Sequence, residues 1–68
     1  MIELIKPGIT IRRFYNEGNP NNCLMHIRAI VDEEWVVYRV WSKVKRDWRY
    51  HVEYIGYFDV AKEHLTKV

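Results

Sequence analysis

The densest run of strand-forming and aromatic residues, residues 35–57 (WVVYRVWSKVKRDWRYHVEYIGY), most limits what this chain can fold into. In its second half, Trp48, Tyr50, Val52 and Tyr54 alternate with polar residues. This two-residue period is typical of a strand with one apolar and one wet face. Its first half is equally rich in Val, Trp and Tyr, and a basic segment separates the two halves. The stretch therefore predicts a β-hairpin.

Two registers of this hairpin are open. If Ser42 lies opposite Trp48, a five-residue loop places the even-numbered side chains of both strands on one face, and Arg39 points outward. If Trp41 lies opposite Trp48, the loop grows to six residues and Arg39 must enter the core, where an unpaired charge is costly. We favour the first register. It predicts a core with Val36, Tyr38, Val40, Tyr50, Val52 and Tyr54, and an outer face with Trp35, Val37, Arg39, Trp41, Arg49 and His51.

The length of 68 residues predicts a single domain, residues 1–68. So short a chain buries only about 60% of its unfolded surface, and association with another chain is a common remedy. The single Cys23 excludes an internal disulfide and favours a reducing cytoplasm. Without an apolar run of about 18 residues or a signal-peptide pattern, we expect a soluble cytoplasmic protein. The net charge of +2 is too small to indicate nucleic-acid binding by itself.

Along the rest of the chain, an apolar lead-in over Met1–Ile5 is followed by predicted strands over residues 9–15 and 23–31, with the loop NEGNPNN between them. Gly56 ends the hairpin pattern, and Tyr57-Phe58 is predicted as a short closing strand. The inward side chains of the earlier strands are predicted to be Ile11, Cys23, Met25, Ile27, Ala29 and Val31. A final helical turn capped by Asp59 places Phe58, Ala61 and Leu65 on one side.

These elements predict a mostly β fold, a small five-stranded antiparallel barrel of the SH3-like type with a short C-terminal helical turn. The alternative is an open antiparallel sheet covered on one face by the C-terminal segment.

Several short motifs resemble, in their spacing, a group of bacterial and phage domains of unknown function. These motifs are Lys6-Pro7-Gly8, Val36-Val37-Tyr38-Arg39, Trp48-Arg49 and Phe58. The resemblance implies an SH3-like barrel and a phage or prophage origin. Those domains have a shorter first turn with His and Gly and a Trp-x-Arg-Pro ending, where this chain has NEGNPNN and Tyr50-His51. No catalytic residue is carried over by the resemblance.

Residue types that often carry chemistry lack the necessary spacing here. The histidines at positions 26, 51 and 64 show no metal-ligand spacing, and Cys23 has no local partner for nucleophilic catalysis. The acids Asp32-Glu33-Glu34 are typical of a solvated turn. There is no phosphate-binding glycine loop and no nucleophile elbow. We therefore predict a non-enzyme without a cofactor or metal.

Two features indicate binding. The first is the outer aromatic face, which predicts docking on a protein partner or a homodimer, since Trp, Tyr and Arg dominate interface energetics. The second is a basic hairpin tip, which predicts nucleic-acid or nucleotide binding with stacking aromatic rings as the alternative function. Its residues are Lys43, Lys45 and Arg46 with Arg39 and Arg49. Plain solubility of the loop and burial of the tryptophans under a terminal segment are the ordinary explanations.

Overall fold

A single antiparallel sheet dominates the computed structural model, which describes residues 5–68. Its strands are β1 (Thr10–Arg13), β2 (Cys23–Val31), β3 (Trp35–Ser42), β4 (Asp47–Tyr54) and β5 (Leu65–Lys67). Between β4 and β5 lie the helical turn α1 (Tyr57–Val60) and a 3-10 turn, Lys62–His64. The strand order β4-β3-β2-β1-β5 leaves β4 and β5 at the edges. The predicted five-stranded, mostly β fold is confirmed, and the sheet is open rather than closed into a barrel.

The hydrophobic core lies on one face of the sheet, under the segment that follows β4. Phe58 of α1 is fully buried there, with Ala61 and Leu65 beside it, as predicted. Because β5 pairs with β1, the segment crosses the sheet from one edge to the other. The sheet side of the core consists of Ile11, Met25, Ile27, Val36 and Tyr38, and Ile5 also packs there. Of the predicted lead-in Met1–Ile5, only Ile5 lies within the described residues.

The C-terminal elements differ in position from the prediction. Tyr57 and Phe58 begin α1 instead of forming a strand, and the fifth strand is β5 at Leu65–Lys67. The residue before α1 is Gly56, and Asp59 lies inside the turn without forming a side-chain cap. Turning the chain at Gly56 brings the Phe58 side chain onto the sheet, which an extended closing strand would not do.

The favoured register of the β3–β4 hairpin is wrong. Trp41 lies opposite Trp48 and Ser42 opposite Asp47, so the loop is residues 43–46. The Arg46 N–H donates to the Ser42 carbonyl at 2.8 Å, and the Lys45 N–H donates to Ser42 Oγ at 3.1 Å. Arg46 takes a positive φ of 56°, which lets four residues reverse the chain.

This register moves the apolar side of β4 away from the core. Tyr50, Val52 and Tyr54 are 59%, 61% and 51% exposed, so their predicted burial is wrong. Val36 and Tyr38 are buried as predicted, and Val40 packs partly against the core. The physical reason is that the buried sheet residues of the core come from β1, β2 and β3 and from β5, while β4 is an edge strand that contributes none. Arg39 still lies outside the core, as predicted. The register instead places the side chains of β4 on the faces opposite to the predicted ones.

A β-bulge in β2 changes the inner face of that strand as well. Ile27 lies opposite Tyr38 and Ala29 opposite Val37, so Arg28 is an extra residue. Paired residues share a face, so Ala29 and the half-exposed Val31 lie outside and Ile30 packs against the core. The predicted inward positions of Ala29 and Val31 are therefore wrong.

The register gives a stability test with matched substitutions. Val36→Thr buries a hydroxyl in the core and should lower the free energy of unfolding by about 1–3 kcal/mol. Val52→Thr on the exposed side of β4 should change it by about 0.5 kcal/mol or less. Urea unfolding followed by circular dichroism measures both. A larger loss for Val52→Thr than for Val36→Thr would contradict the observed register.

Candidate binding surface

The face of the sheet opposite the core, here called the aromatic face, is covered by no described segment. Trp35 and Trp41 are 43% and 47% exposed on it. Its members follow from the strand registers: Trp48, Tyr50, Val52 and Tyr54 of β4, Trp35, Val37, Arg39 and Trp41 of β3, Leu24, His26, Ala29 and Val31 of β2, and Thr10 and Arg12 of β1. None of these residues is acidic.

One row of the aromatic face is polar and runs across four strands. Thr10 lies opposite His26, His26 opposite Arg39, and Arg39 opposite Tyr50. A hydrogen bond of 3.0 Å joins Thr10 Oγ1 and His26 Nδ1. Arg39 Nη1 donates to the Tyr50 hydroxyl oxygen at 3.1 Å. The row therefore holds its arginine and histidine in defined positions.

Arg39 is also held by the indole of Trp48. Its guanidinium carbon lies 3.9 Å from the centre of the Trp48 ring, a cation–π contact. The His26 and Trp41 rings meet the same indole edge to face, at centroid distances of 5.1 and 5.3 Å. Arg39 Nε is buried and has no hydrogen-bond partner among the described residues. This end of the face, the cationic-aromatic end, is thus a group of contacting rings around the Arg39 guanidinium.

The other end of the aromatic face is apolar. Trp35 and Tyr54 lie opposite each other with ring centroids 5.7 Å apart, and Val31 and Val52 are close by in the register. The turn of residues 32–34 with its three acids follows β2 at this end. The face therefore combines an apolar end near acidic residues with a cationic-aromatic end.

A cleft of about 660 Å³ borders the cationic-aromatic end. Pairing between β2 and β3 extends only to His26 and Arg39, so the two strands diverge beyond these residues. The cleft is lined by Arg12, Arg13, Phe14, Asn22, Cys23, Leu24, His26, Val40, Trp41 and Lys43. Three of these side chains carry a positive charge and none carries a negative charge. An anionic ligand group suits such a lining.

Within the cleft, Arg13 is held by hydrogen bonds and the Cys23 thiol has a raised pKa. Arg13 donates from Nη1 to the Tyr57 hydroxyl at 3.0 Å and from Nε to the Asn21 carbonyl at 3.0 Å. Burial raises the pKa of the Cys23 thiol, and the charge of Arg13 partly opposes this effect. A thiol with a raised pKa is a weaker nucleophile at neutral pH, because the thiolate is the reactive form.

The structure brings together four of the six residues predicted for the partner face. Trp35, Val37, Arg39 and Trp41 share the aromatic face, whereas Arg49 and His51 lie on the opposite side of the sheet. Arg49 is 3.5 Å from the carboxylate of Asp47. The His51 ring stacks on Tyr38 at 5.3 Å. The placement of these two residues was wrong because it followed from the wrong register.

The predicted basic tip is divided among four places. Lys43 lines the cleft, Lys45 and Arg46 lie on the exposed turn, and Arg39 belongs to the aromatic face. Arg49 lies on the other face of β4. These five charges do not form one patch.

Several residues of the surface were missed from the sequence. Trp48 and Tyr50 had been assigned with the inner side of β4, and Arg12 and Arg13 had no assigned role. The position of β4 as the last long strand was the available signal, because such a strand often becomes an edge. The cleft had no signal, since it depends on where β2 and β3 separate.

Within the described residues 5–68, no three side chains of His, Cys, Asp or Glu lie close enough to hold a metal ion. Neither helical segment has the length and apolar character that a membrane-spanning helix needs.

Comparison with protein-family models, curated proteins and solved structures finds no match to this chain. The resemblance to short bacterial and phage domains therefore stays a prediction.

The Arg39–Trp48 contact can be measured by a double-mutant cycle. Arg39→Met and Trp48→Leu should show a coupling of about 0.5–2 kcal/mol in the free energy of unfolding, because the cation–π contact requires both groups. The matched control is the cycle of Arg39→Met with Trp35→Leu, whose ring pairs with Tyr54 instead. Equal coupling in both cycles would contradict a specific contact.

Proposed function

We propose that this is a non-enzymatic binding protein whose aromatic face docks a partner protein that presents apolar and acidic side chains together. The observation that supports this is the uncovered face itself, with three tryptophans and two tyrosines on one side of an open sheet. Monomeric proteins rarely expose such a large contiguous apolar surface without a binding role. The single free thiol, Cys23, suits a reducing cytoplasm as the place of the interaction.

The charge on the face supports an acidic partner. Arg39 and Arg12 are positive, and no member of the face is acidic. Acidic groups on the partner would therefore find opposite charges at the cationic-aromatic end. Trp41 and Tyr50 supply flat, half-exposed rings next to these charges, the arrangement found in binding hot spots.

A second copy of the chain fits this face less well. Two copies packed with their cationic-aromatic ends together would bring the Arg39 residues and their neighbouring positive charges towards one another. Like charges at an interface cost several kcal/mol. A different protein with acidic residues avoids this repulsion.

Peptide selection tests this function. We expect random displayed peptides selected on the immobilised protein to be enriched in Asp or Glu next to Trp, Phe or Leu. Trp41→Ala should weaken binding of the selected peptides by roughly thirtyfold, the effect of losing about 2 kcal/mol. Arg39→Gln should remove the preference for acids.

The matched control is Val60→Ala, a change at an exposed apolar residue of α1 on the core side of the molecule. It should leave peptide binding unchanged. Selected peptides without acidic residues, or equal losses for Trp41→Ala and Val60→Ala, would refute docking on the aromatic face.

The cleft favours a second candidate function, the binding of single-stranded nucleic acid. Arg12, Arg13 and Lys43 surround it without an acid, and Trp41 and Phe14 offer rings for stacking. Phosphates bound by the cations and bases stacked on the rings would follow the usual mode of single-strand recognition.

Oligonucleotide titration at two salt concentrations tests this candidate. Replacing Arg12 and Lys43 by Ala should flatten the log–log salt dependence by roughly 0.7 per lost phosphate contact. Trp41→Ala should lower affinity and keep the slope, because stacking of about 1–3 kcal/mol per base depends little on salt. Bound oligonucleotide should also slow alkylation of Cys23, which lines the cleft.

Lys62→Ala is the control, since Lys62 is an exposed cation of the 3-10 turn outside the cleft. It should alter neither slope nor alkylation. No binding of single or double strands even at low salt would eliminate this candidate and leave the protein partner.

A further inference from the structure

Strand β4 is a long edge strand with an unused side. It spans eight residues, Asp47–Tyr54, and among the described residues it pairs only with β3. An edge strand directs half of its backbone N–H and C=O groups away from its sheet, where they are free to pair with another strand. The opposite edge, β5, has only three residues.

The side chains along β4 are self-complementary in one register. On the core side, the strand carries Asp47, Arg49, His51 and Glu53 in alternation. In an antiparallel pair of two β4 strands related by a two-fold axis at His51, Arg49 of each copy lies opposite Glu53 of the other. Opposite charges directly across a strand pair stabilise it.

The same register also matches the aromatic face. A two-fold axis perpendicular to the sheet keeps the aromatic faces of both copies on one side. Trp48 then lies opposite Tyr54 of the second copy, and Tyr50 opposite its Val52. Aromatic rings opposite one another or opposite a β-branched residue are favourable cross-strand pairs.

Neighbouring registers lack this match. An axis at Tyr50 places Asp47 opposite Glu53 twice, and an axis at Arg49 places two arginines opposite each other. An axis at Val52 avoids repulsion but shortens the pairing and leaves Arg49 opposite Ile55. The existing contact of Arg49 with Asp47 does not prevent Arg49 from pairing with Glu53 of the second copy. Both side chains of the existing contact are about half exposed, and such pairs are weak.

We propose that the protein forms a homodimer by antiparallel pairing of two β4 strands, with His51 on the two-fold axis and reciprocal Arg49–Glu53 ion pairs. The two five-stranded sheets join into one continuous sheet, and the two aromatic faces form one surface. The inference does not depend on what the aromatic face binds, since the pairing uses the edge and leaves the face open.

A charge-reversal experiment tests the register. Sedimentation equilibrium of the wild type should show a mass that rises with concentration towards twice that of the monomer. Arg49→Glu and Glu53→Arg should each weaken the dimer by about tenfold or more, because each places like charges opposite one another twice. An equimolar mixture of the two variants should restore a dimer, since every Glu then faces an Arg.

Three further variants complete the design. The double variant R49E/E53R should dimerise by itself, because the exchange keeps opposite charges opposed. Lys62→Glu and Glu63→Lys make the same changes in net charge on the exposed 3-10 turn and should leave the wild-type dimer unchanged. Circular dichroism of each variant verifies that it is folded.

Three results would overturn the proposal. A wild type that stays monomeric at every concentration would show that the charges of β4 only protect the edge from aggregation. A dimer insensitive to both single reversals would place the contact elsewhere, with the aromatic face as the first candidate. A mixture of folded variants that stays monomeric would exclude the reciprocal ion pairs.

Discussion

The packing of Phe58 against one face of the sheet is the contact on which the rest of this structure depends. The Phe58 side chain is completely buried, and the segment that carries it runs from the edge strand β4 to β5 at the opposite edge. A single crossing segment covers only one face. Because the chain is so short, the core has nine buried hydrophobic residues in the described part, all associated with this covered face. The opposite face is left with rings and positive charges, and no described segment lies over it.

The properties of the aromatic face follow from this one-sided cover. In a closed barrel, the rings of β4 would turn inward, and the outer surface would be polar. In the open sheet, Trp48 instead supports Arg39 from the outer side, and the Tyr50 hydroxyl accepts a hydrogen bond from the same guanidinium. Because these groups are already held in place, binding of the proposed partner would cost less conformational entropy. The open edge of β4 also follows from the open sheet, since in a closed barrel β4 would be paired on both sides and no edge strand would remain.

The candidate site was predictable in part. Trp35, Val37, Arg39 and Trp41 were assigned correctly to one outer face, because they share parity on a strand whose other side fits a core. Arg49 and His51 were misplaced, and Trp48 and Tyr50 were missed, through a single assumption: that the apolar side of β4 faces the same core as the apolar side of β3. Edge strands need not obey it, because their apolar side can lie on the uncovered face of the sheet. The cleft depends on the divergence of β2 and β3, which no local pattern records.

The sequence by itself determined strands β1 to β4, the C-terminal helical turn and the apolar set Phe58, Ala61 and Leu65, because these depend on local periodicity and turn chemistry. It also determined that β4 has two chemically different sides. Only the tertiary structure decided which side faces inward, where Arg28 shifts the register of β2, and whether the sheet closes. A period of two distinguishes two faces without saying which one is covered. The choice of the covered face depends on where the segment containing Phe58 packs. This packing is a long-range contact, and all apolar surfaces of the chain compete for it.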